Sequence, residues 1–126
     1  DFLIPNESEA AALSGLAVDS LQSAETAATQ LIAMGAGKVI VTLGAQGSLF
    51  ANGNGFEHFP APTVKAVDTT AAGDTFVGGF AAALADGKTE AEAIRYGQIA
   101  AALSVTRAGA QPSIPTMSEV QAFKPA

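Results

Sequence analysis

Cysteine is absent from the 126 residues, which excludes a disulfide framework and a thiolate metal centre and fits a reducing compartment. Charge is scarce as well. Charged side chains make up 14% of the chain and the balance is acidic, −6 at pH 7, so the basic face that grips nucleic acid is missing. A nucleotide is still an acceptable ligand, because a few backbone donors and one metal ion can outweigh the global field locally. No apolar run reaches the ~20 residues that span a bilayer, and nothing resembles a signal peptide; the expected location is cytoplasmic, with no membrane partner. The single histidine, His58, has no serine or cysteine nucleophile in a suitable motif. Hydrolase chemistry is therefore not indicated, and His58 reads as an exposed strand residue. The P-loop pattern Gly-x-x-x-x-Gly-Lys-Ser/Thr is missing, and so is Gly-x-Gly-x-x-Gly.

What remains is a chain with 48% hydrophobic residues, the size of one modest domain and long enough to bury a core. Phe2-Leu3-Ile4 reads as a short strand ended by Pro5. Because the chain starts inside this strand, with no methionine or lead-in, it is expected to be a piece of something longer. A helix over 7–14 should stop at Gly15. Asp19 or Ser20 can cap a second helix whose apolar stripe is Leu21, Ala24, Ala28, Leu31 and Ile32, at helical spacing. The β-branched run Lys38-Val39-Ile40-Val41-Thr42-Leu43 suits a buried parallel strand. Gly44 and Gly47 turn the chain into a strand over 48–51, and Asn52-Gly53-Asn54-Gly55 reads as a hairpin turn into 56–59. A short strand over 64–67 precedes a helix that runs to about Ala85. Thr89 and Glu92 form a capping box for a helix over 89–106, followed by a loop over 107–115 and a last helix from about Ser118. This order implies an α/β layered fold with a partly parallel sheet between helices, in one partial domain spanning 1–126.

The densest chemistry lies at Asp68-Thr69-Thr70-Ala71-Ala72-Gly73-Asp74-Thr75-Phe76. Ala71, Ala72 and Gly73 carry almost no side chain, so a ligand can approach backbone N–H groups at a helix start. Those groups lack intrahelical partners and sit at the positive end of the macrodipole, an arrangement suited to phosphate. A carboxylate such as Asp74 repels a phosphate, and is explicable there if it takes a proton from a hydroxyl attacking a phosphoryl group. The alternative is a capped turn in which Asp68 or Thr69 caps the helix and Asp74 favours its dipole. Asn6 and Glu9, just after the first strand, can organise water around Mg²⁺ or simply form a capping box. Both can hold together. Thr42-Leu43-Gly44-Ala45-Gln46-Gly47 offers close backbone approach to a nucleotide, or is a plain turn. The loop from Ser104 to Ser113, with Arg107, Gly109 and Gln111, is rich in backbone oxygens; with Asp68 it can enclose a weakly charged cation, or be a surface loop.

Together these segments resemble the carboxyl-terminal part of the ribokinase (PfkB-type) carbohydrate kinases. The resemblance rests on Leu3-Ile4-Pro5-Asn6-Glu7-Ser8-Glu9-Ala10, Val41-Thr42-Leu43-Gly44, the block from Val67 to Phe76, and Val105-Thr106-Arg107-Ala108-Gly109-Ala110-Gln111-Pro112-Ser113. The Gly-Ala-Gln-Pro-Ser ending is similar to ribokinases more than to fructokinases or adenosine kinases. The resemblance implies a three-layer ribokinase-like (Rossmann-like) sheet and ATP-dependent transfer of the γ-phosphoryl group to a primary hydroxyl of a sugar, D-ribose first. It assigns Asp74 as catalytic base and substrate contact, and Ala71, Ala72 and Gly73 as the anion hole. Asn6 and Glu9 match the pair that positions Mg²⁺ and phosphate. Asn6, Thr42, Gly44, Gln46, Gly47, Gly73 and Gln98 match nucleotide contacts. Asp68, Thr70, Ser104, Arg107, Gly109 and Ser113 match a monovalent-cation (K⁺) site. The family's amino-terminal half, with its sugar-recognising residues and lid, has no counterpart here. The chain alone is therefore expected not to turn over ribose, and to associate with the missing half, a second chain, or a homodimer partner when complete. Kinases for a deoxysugar, a nucleoside or a keto-sugar acid, and a non-catalytic nucleotide-binding module, are the alternatives.

Overall fold

The computed structural model describes residues 2–62 and 72–105. The chain divides into two compact units, Asp1–Pro60 and Ala61–Ala126. The expected strand over 64–67, the loop over 107–115 and the last helix lie outside the described residues.

The first unit is an α/β sandwich built on a four-stranded sheet of order β1-β2-β3-β4. Strand β1 (Phe2–Leu3) runs parallel to β2 (Lys38–Thr42), while β3 (Ser48–Asn52) and β4 (Gly55–Phe59) follow as antiparallel neighbours. The run expected to be a buried parallel strand is thus parallel on one side only. Its continuous apolarity has a simple cause: Val39, Ile40 and Val41 are all fully buried, so neither face of β2 meets water. The pleat sorts them. Val39 and Val41 share a face with their cross-strand partners Ala51 and Leu49, and that face packs with Ala10, Ala24, Ala28, Leu31 and Leu43 into one cluster. Ile40 pairs with Phe50 on the other face, where the Phe2 and Phe50 rings lie 6.4 Å apart and the Lys38 ammonium sits 5.3 Å from the Phe2 ring centre.

Two helices cover the clustered face. Helix α1 (Glu7–Ser14) starts at Asn6 and ends at Gly15, whose φ of 75° is the left-handed conformation that glycine adopts without a Cβ penalty. Helix α2 (Leu21–Ala33) is capped by Ser20, the second of the two expected caps. The Ser20 hydroxyl accepts from the Ser23 N–H at 3.1 Å, and Ser23 Oγ in turn accepts from the Asp19 and Ser20 N–H groups at 2.8 and 2.9 Å. Ala24, Ala27, Ala28 and Leu31 are buried, and Leu21 and Ile32 pack at the edge of the cluster. Alanines at these spacings let the helix lie close to the sheet.

The second unit is described as a helix pair, α3 (Ala72–Ala85) and α4 (Glu90–Val105). Helix α3 ends through Gly87 (φ 87°), whose N–H donates to the Leu84 carbonyl at 3.0 Å. The expected capping box opens α4: the Thr89 N–H donates to Glu92 Oε1 at 3.0 Å and Thr89 Oγ1 accepts from the Glu92 N–H at 3.2 Å. The Thr89 backbone N–H, then its hydroxyl, hold the Glu92 carboxyl below its ordinary range, with smaller help from Lys88 and Arg95 and against a small opposing effect of burial. A depressed carboxylate binds fewer protons folded than unfolded, so its stabilisation is present above the unfolded value of about 4.3 and is lost as pH falls through the folded one. In melting curves, Glu92→Gln should therefore lie below the parent chain above about pH 5 and converge with it in stronger acid.

Candidate functional site

The carboxyl ends of β1 and β2 gather the first set of expected residues. Asn6 forms a parallel bridge with Thr42, and the Thr42 N–H donates to the Pro5 carbonyl at 2.9 Å. The two strands therefore deliver Asn6 and Thr42 side by side, at the sheet end where α/β proteins bind ligands. Asn6 Oδ1 accepts from the Glu9 N–H at 2.8 Å, while Glu9 Oε1 accepts from the Asn6 N–H at 2.9 Å. The capping-box reading of this pair is correct. Asn6 and Glu9 are also exposed, and Glu9 Oε2 takes no part in the box. One carboxylate oxygen beside an amide is a donor set that fits Mg²⁺, which keeps several waters and needs few protein ligands. Among the described residues no group of three or more His, Cys, Asp or Glu is placed to enclose a metal ion.

Beyond Thr42 the chain turns through Leu43 into a 3₁₀ turn, Gly44–Gln46, and returns at Gly47. Leu43 N–H donates to Gly47 O at 2.8 Å, Gln46 N–H to Leu43 O at 3.1 Å and Gly47 N–H to Gly44 O at 3.0 Å. Gly44 has φ 59° and Gly47 φ 92°, values that side chains rarely tolerate. At Gly44 a Cβ would meet no atom of the described residues within 4 Å; conformation, not crowding among them, demands glycine there. Gly44 and Gln46 are exposed and Gly47 is buried. His58 is exposed on β4, as expected, but its Nε2 lies 2.6 Å from the Gln46 carbonyl oxygen. The β3–β4 ladder places His58 opposite Leu49, three residues from Gln46.

In the second unit, Asp74 stands in the first turn of α3 and is exposed, with Gly73 exposed and Ala72 half-buried beside it. Thr75 and Phe76, which follow, are buried and anchor the turn. A Cβ on Gly73 would meet no atom of the described residues within 4 Å, and its φ is not positive. Among the described residues, neither packing nor backbone conformation requires glycine at this position. Gln98 is buried on α4, 7% exposed. Ser104 is buried in the last turn of α4, its Oγ donating to the Ala101 carbonyl at 2.8 Å. Ala71, Asp68, Thr70, Arg107, Gly109 and Ser113 lie outside the described residues.

A sequence model of the pfkB family carbohydrate kinases matches residues 1–117. The chain belongs to the pfkB family of carbohydrate kinases. Among its relatives in that family, the ribokinase of Haemophilus influenzae is 48% identical over 123 residues, covering 98% of this chain and 40% of the relative. The crystal structure of ribokinase from Thermotoga maritima has a TM-score of 0.89 at 51% identity, with 97% of this chain and 41% of that one covered. The structure of Arabidopsis thaliana ribokinase complexed with ribose and ATP has a TM-score of 0.91 at 34% identity, covering 98% and 41%. The α/β, ribokinase-like fold expected for the chain is thereby established. The chain spans about 40% of the length of the curated relatives it matches. Among the described residues no helix is long and apolar enough to cross a membrane.

Proposed function

We propose that this chain carries the nucleotide-contacting surface and the catalytic base of an ATP-dependent kinase for the primary hydroxyl of a sugar, with D-ribose giving ribose 5-phosphate. The observation that carries the reading is Asp74, an exposed carboxylate in the opening turn of a long helix, directly after a glycine that neither conformation nor packing among the described residues requires. As the sugar oxygen attacks the γ-phosphorus, Asp74 takes the hydroxyl proton. The bond from the γ-phosphorus to the β–γ bridging oxygen breaks, and ADP leaves with that electron pair. Backbone N–H groups of Ala71, Ala72 and Gly73, at the positive helix end, stabilise charge developing on the transferred group. Asn6, Thr42, Gly44, Gln46, Gly47 and Gln98 hold the nucleotide. Asn6 and Glu9 would hold the waters of Mg²⁺, whose chemistry is to neutralise phosphate charge. Asp68, Thr70, Ser104, Arg107, Gly109 and Ser113 would supply oxygens to K⁺, which shapes the anion hole without touching substrate.

Support for ribose comes from the ribokinases among the relatives and from the ribose and ATP bound to the Arabidopsis protein. The test is a chimera in which this chain replaces the matching 123-residue segment of the Haemophilus influenzae ribokinase. The chimera should phosphorylate D-ribose with MgATP, faster in K⁺ than in Na⁺, whereas this chain alone should not, because the residues expected to hold the acceptor in line belong to the part of the relatives that it does not cover. A folded chimera that binds MgATP without transfer would overturn the kinase reading in favour of a nucleotide-binding module. The chimera tests transfer and not the acceptor, because its sugar-recognising half is the Haemophilus one. Ribose is tested by a substrate panel on the parent protein, where preference for a deoxysugar, a nucleoside or a keto-sugar acid would overturn it.

A further inference from the structure

We infer that His58 is a positioning residue for nucleotide binding, acting as a latch on the Gly44–Gly47 turn. The carbonyl oxygen of Gln46 has no proton to give, so the 2.6 Å contact requires His58 Nε2 to be the donor. The peptide unit it grips is the one joining Gln46 to Gly47. Its carbonyl end is held by His58, and its N–H end donates to the Gly44 carbonyl at 3.0 Å. The plane of that peptide is therefore pinned from both sides, at the point where two positive-φ glycines leave the backbone with the most freedom. No side chain within the turn can do this: Gly44, Ala45 and Gly47 have none of the needed reach, and the carbonyl held belongs to Gln46 itself. The donor comes instead from β4, twelve residues on, carried on an antiparallel ladder that fixes His58 opposite Leu49. Leu49 is fully buried, so the strand presenting the imidazole is registered against a rigid part of the sheet. The β3–β4 hairpin thus acts as a splint for the turn.

The inference rests on the proposed role of this turn in nucleotide binding, and its test separates the two. His58→Phe keeps a flat ring but has no donor, while His58→Gln restores an N–H at similar reach. In the chain as it stands, His58→Phe should speed amide exchange at Gly47 by roughly threefold to tenfold, the range for one net hydrogen bond. Exchange at Ile40 and Phe50 should stay unchanged. MgATP binding, measured by titration calorimetry, should weaken by a similar factor, and His58→Gln should recover both readouts. Unchanged exchange at Gly47 would overturn the latch. Equal acceleration at Ile40 and Phe50 would also overturn it, making His58 a general fold stabiliser. Faster Gly47 exchange with unaltered MgATP affinity would overturn the positioning role while sparing the nucleotide reading. A parent chain that binds no MgATP would sink the nucleotide reading and this inference with it, and the exchange result would still report whether the latch exists.

Discussion

Asp74→Asn in the chimera with the Haemophilus influenzae segment replaced should cut phosphoryl transfer to D-ribose by about 10²–10⁴-fold, the usual contribution of a positioned general base. The change is isosteric and sits on an exposed position of the first helical turn. It should therefore leave the fold intact and cost at most the small favourable term of a carboxylate near the helix N-terminus, about 0.3–1 kcal/mol. MgATP affinity should hold or improve slightly, because a negative group near bound phosphate is removed. This split between rate and affinity decides between the two classes of reading. A capped turn or a nucleotide-sensing module has no transfer to lose, so equal turnover in the two forms, measured by ADP release at saturating ribose and MgATP, would sink the assignment of Asp74 as base. A parallel fall in affinity and rate would instead make Asp74 a binding residue.

Much of the architecture was legible because local rules act over a few residues. Asn6 with Glu9, Ser20 with Ser23 and Thr89 with Glu92 each satisfy helix-end N–H groups within one turn, and sequence spacing speaks directly to that distance. The buried run Val39 to Val41 and the alanine stripe of α2 follow equally from periodicity. What the sequence left open was competition between two uses of the same atoms. Asn6 and Glu9 were open to being a capping box, a cation-organising pair, or both; the structure spends one oxygen of Glu9 on the cap and leaves the other outside it. The antiparallel edge of β2 was equally hidden, since a strand buried on both faces reads as a continuous apolar run whatever the direction of its neighbours. His58 shows the remaining blind spot. Its partner is a backbone carbonyl twelve residues away, and backbone acceptors are present at every position, so no residue type announces the contact. Candidate residues such as Asn6 and Thr42, by contrast, converge because adjacent parallel strands end together.

The same substitution, glycine to alanine, should have opposite consequences at two positions of the second unit. At Gly97, on α4, a Cβ would lie 2.8 Å from the Phe76 carbonyl oxygen, 3.1 Å from Phe76 Cδ1 and 3.2 Å from Cε1. The nearest atom is backbone, and Phe76 is itself only 3% exposed, stacked on Phe80 at 6.2 Å. Rotating a side chain cannot relieve the clash, so the helices must separate. Gly79, where a Cβ would come within 3.2 Å of both Ala100 Cβ and Gly97 Cα, marks the same close crossing from the α3 side. Overpacking of this kind costs about 1–3 kcal/mol, against roughly 1 kcal/mol that alanine gains over glycine in a helix interior. Gly97→Ala should therefore lower the melting temperature of this chain by several degrees, up to about 10 °C. Phe76 lies two residues from Asp74, so the displaced end of α3 is the end bearing the proposed base, and transfer by the chimera should fall as well. Gly73→Ala meets no atom of the described residues within 4 Å, and should leave the melting temperature unchanged or slightly raised. If Gly73 serves the ligand, by letting phosphate approach the helix start, that variant should still lose transfer while keeping its stability. Paired melting curves and turnover rates for the two variants separate a glycine needed for packing from one needed for chemistry. Full activity in Gly73→Ala would remove the anion-hole role from that residue, and an unaltered melting temperature in Gly97→Ala would mean that α3 and α4 part at a cost no larger than the roughly 1 kcal/mol that alanine gains over glycine in a helix.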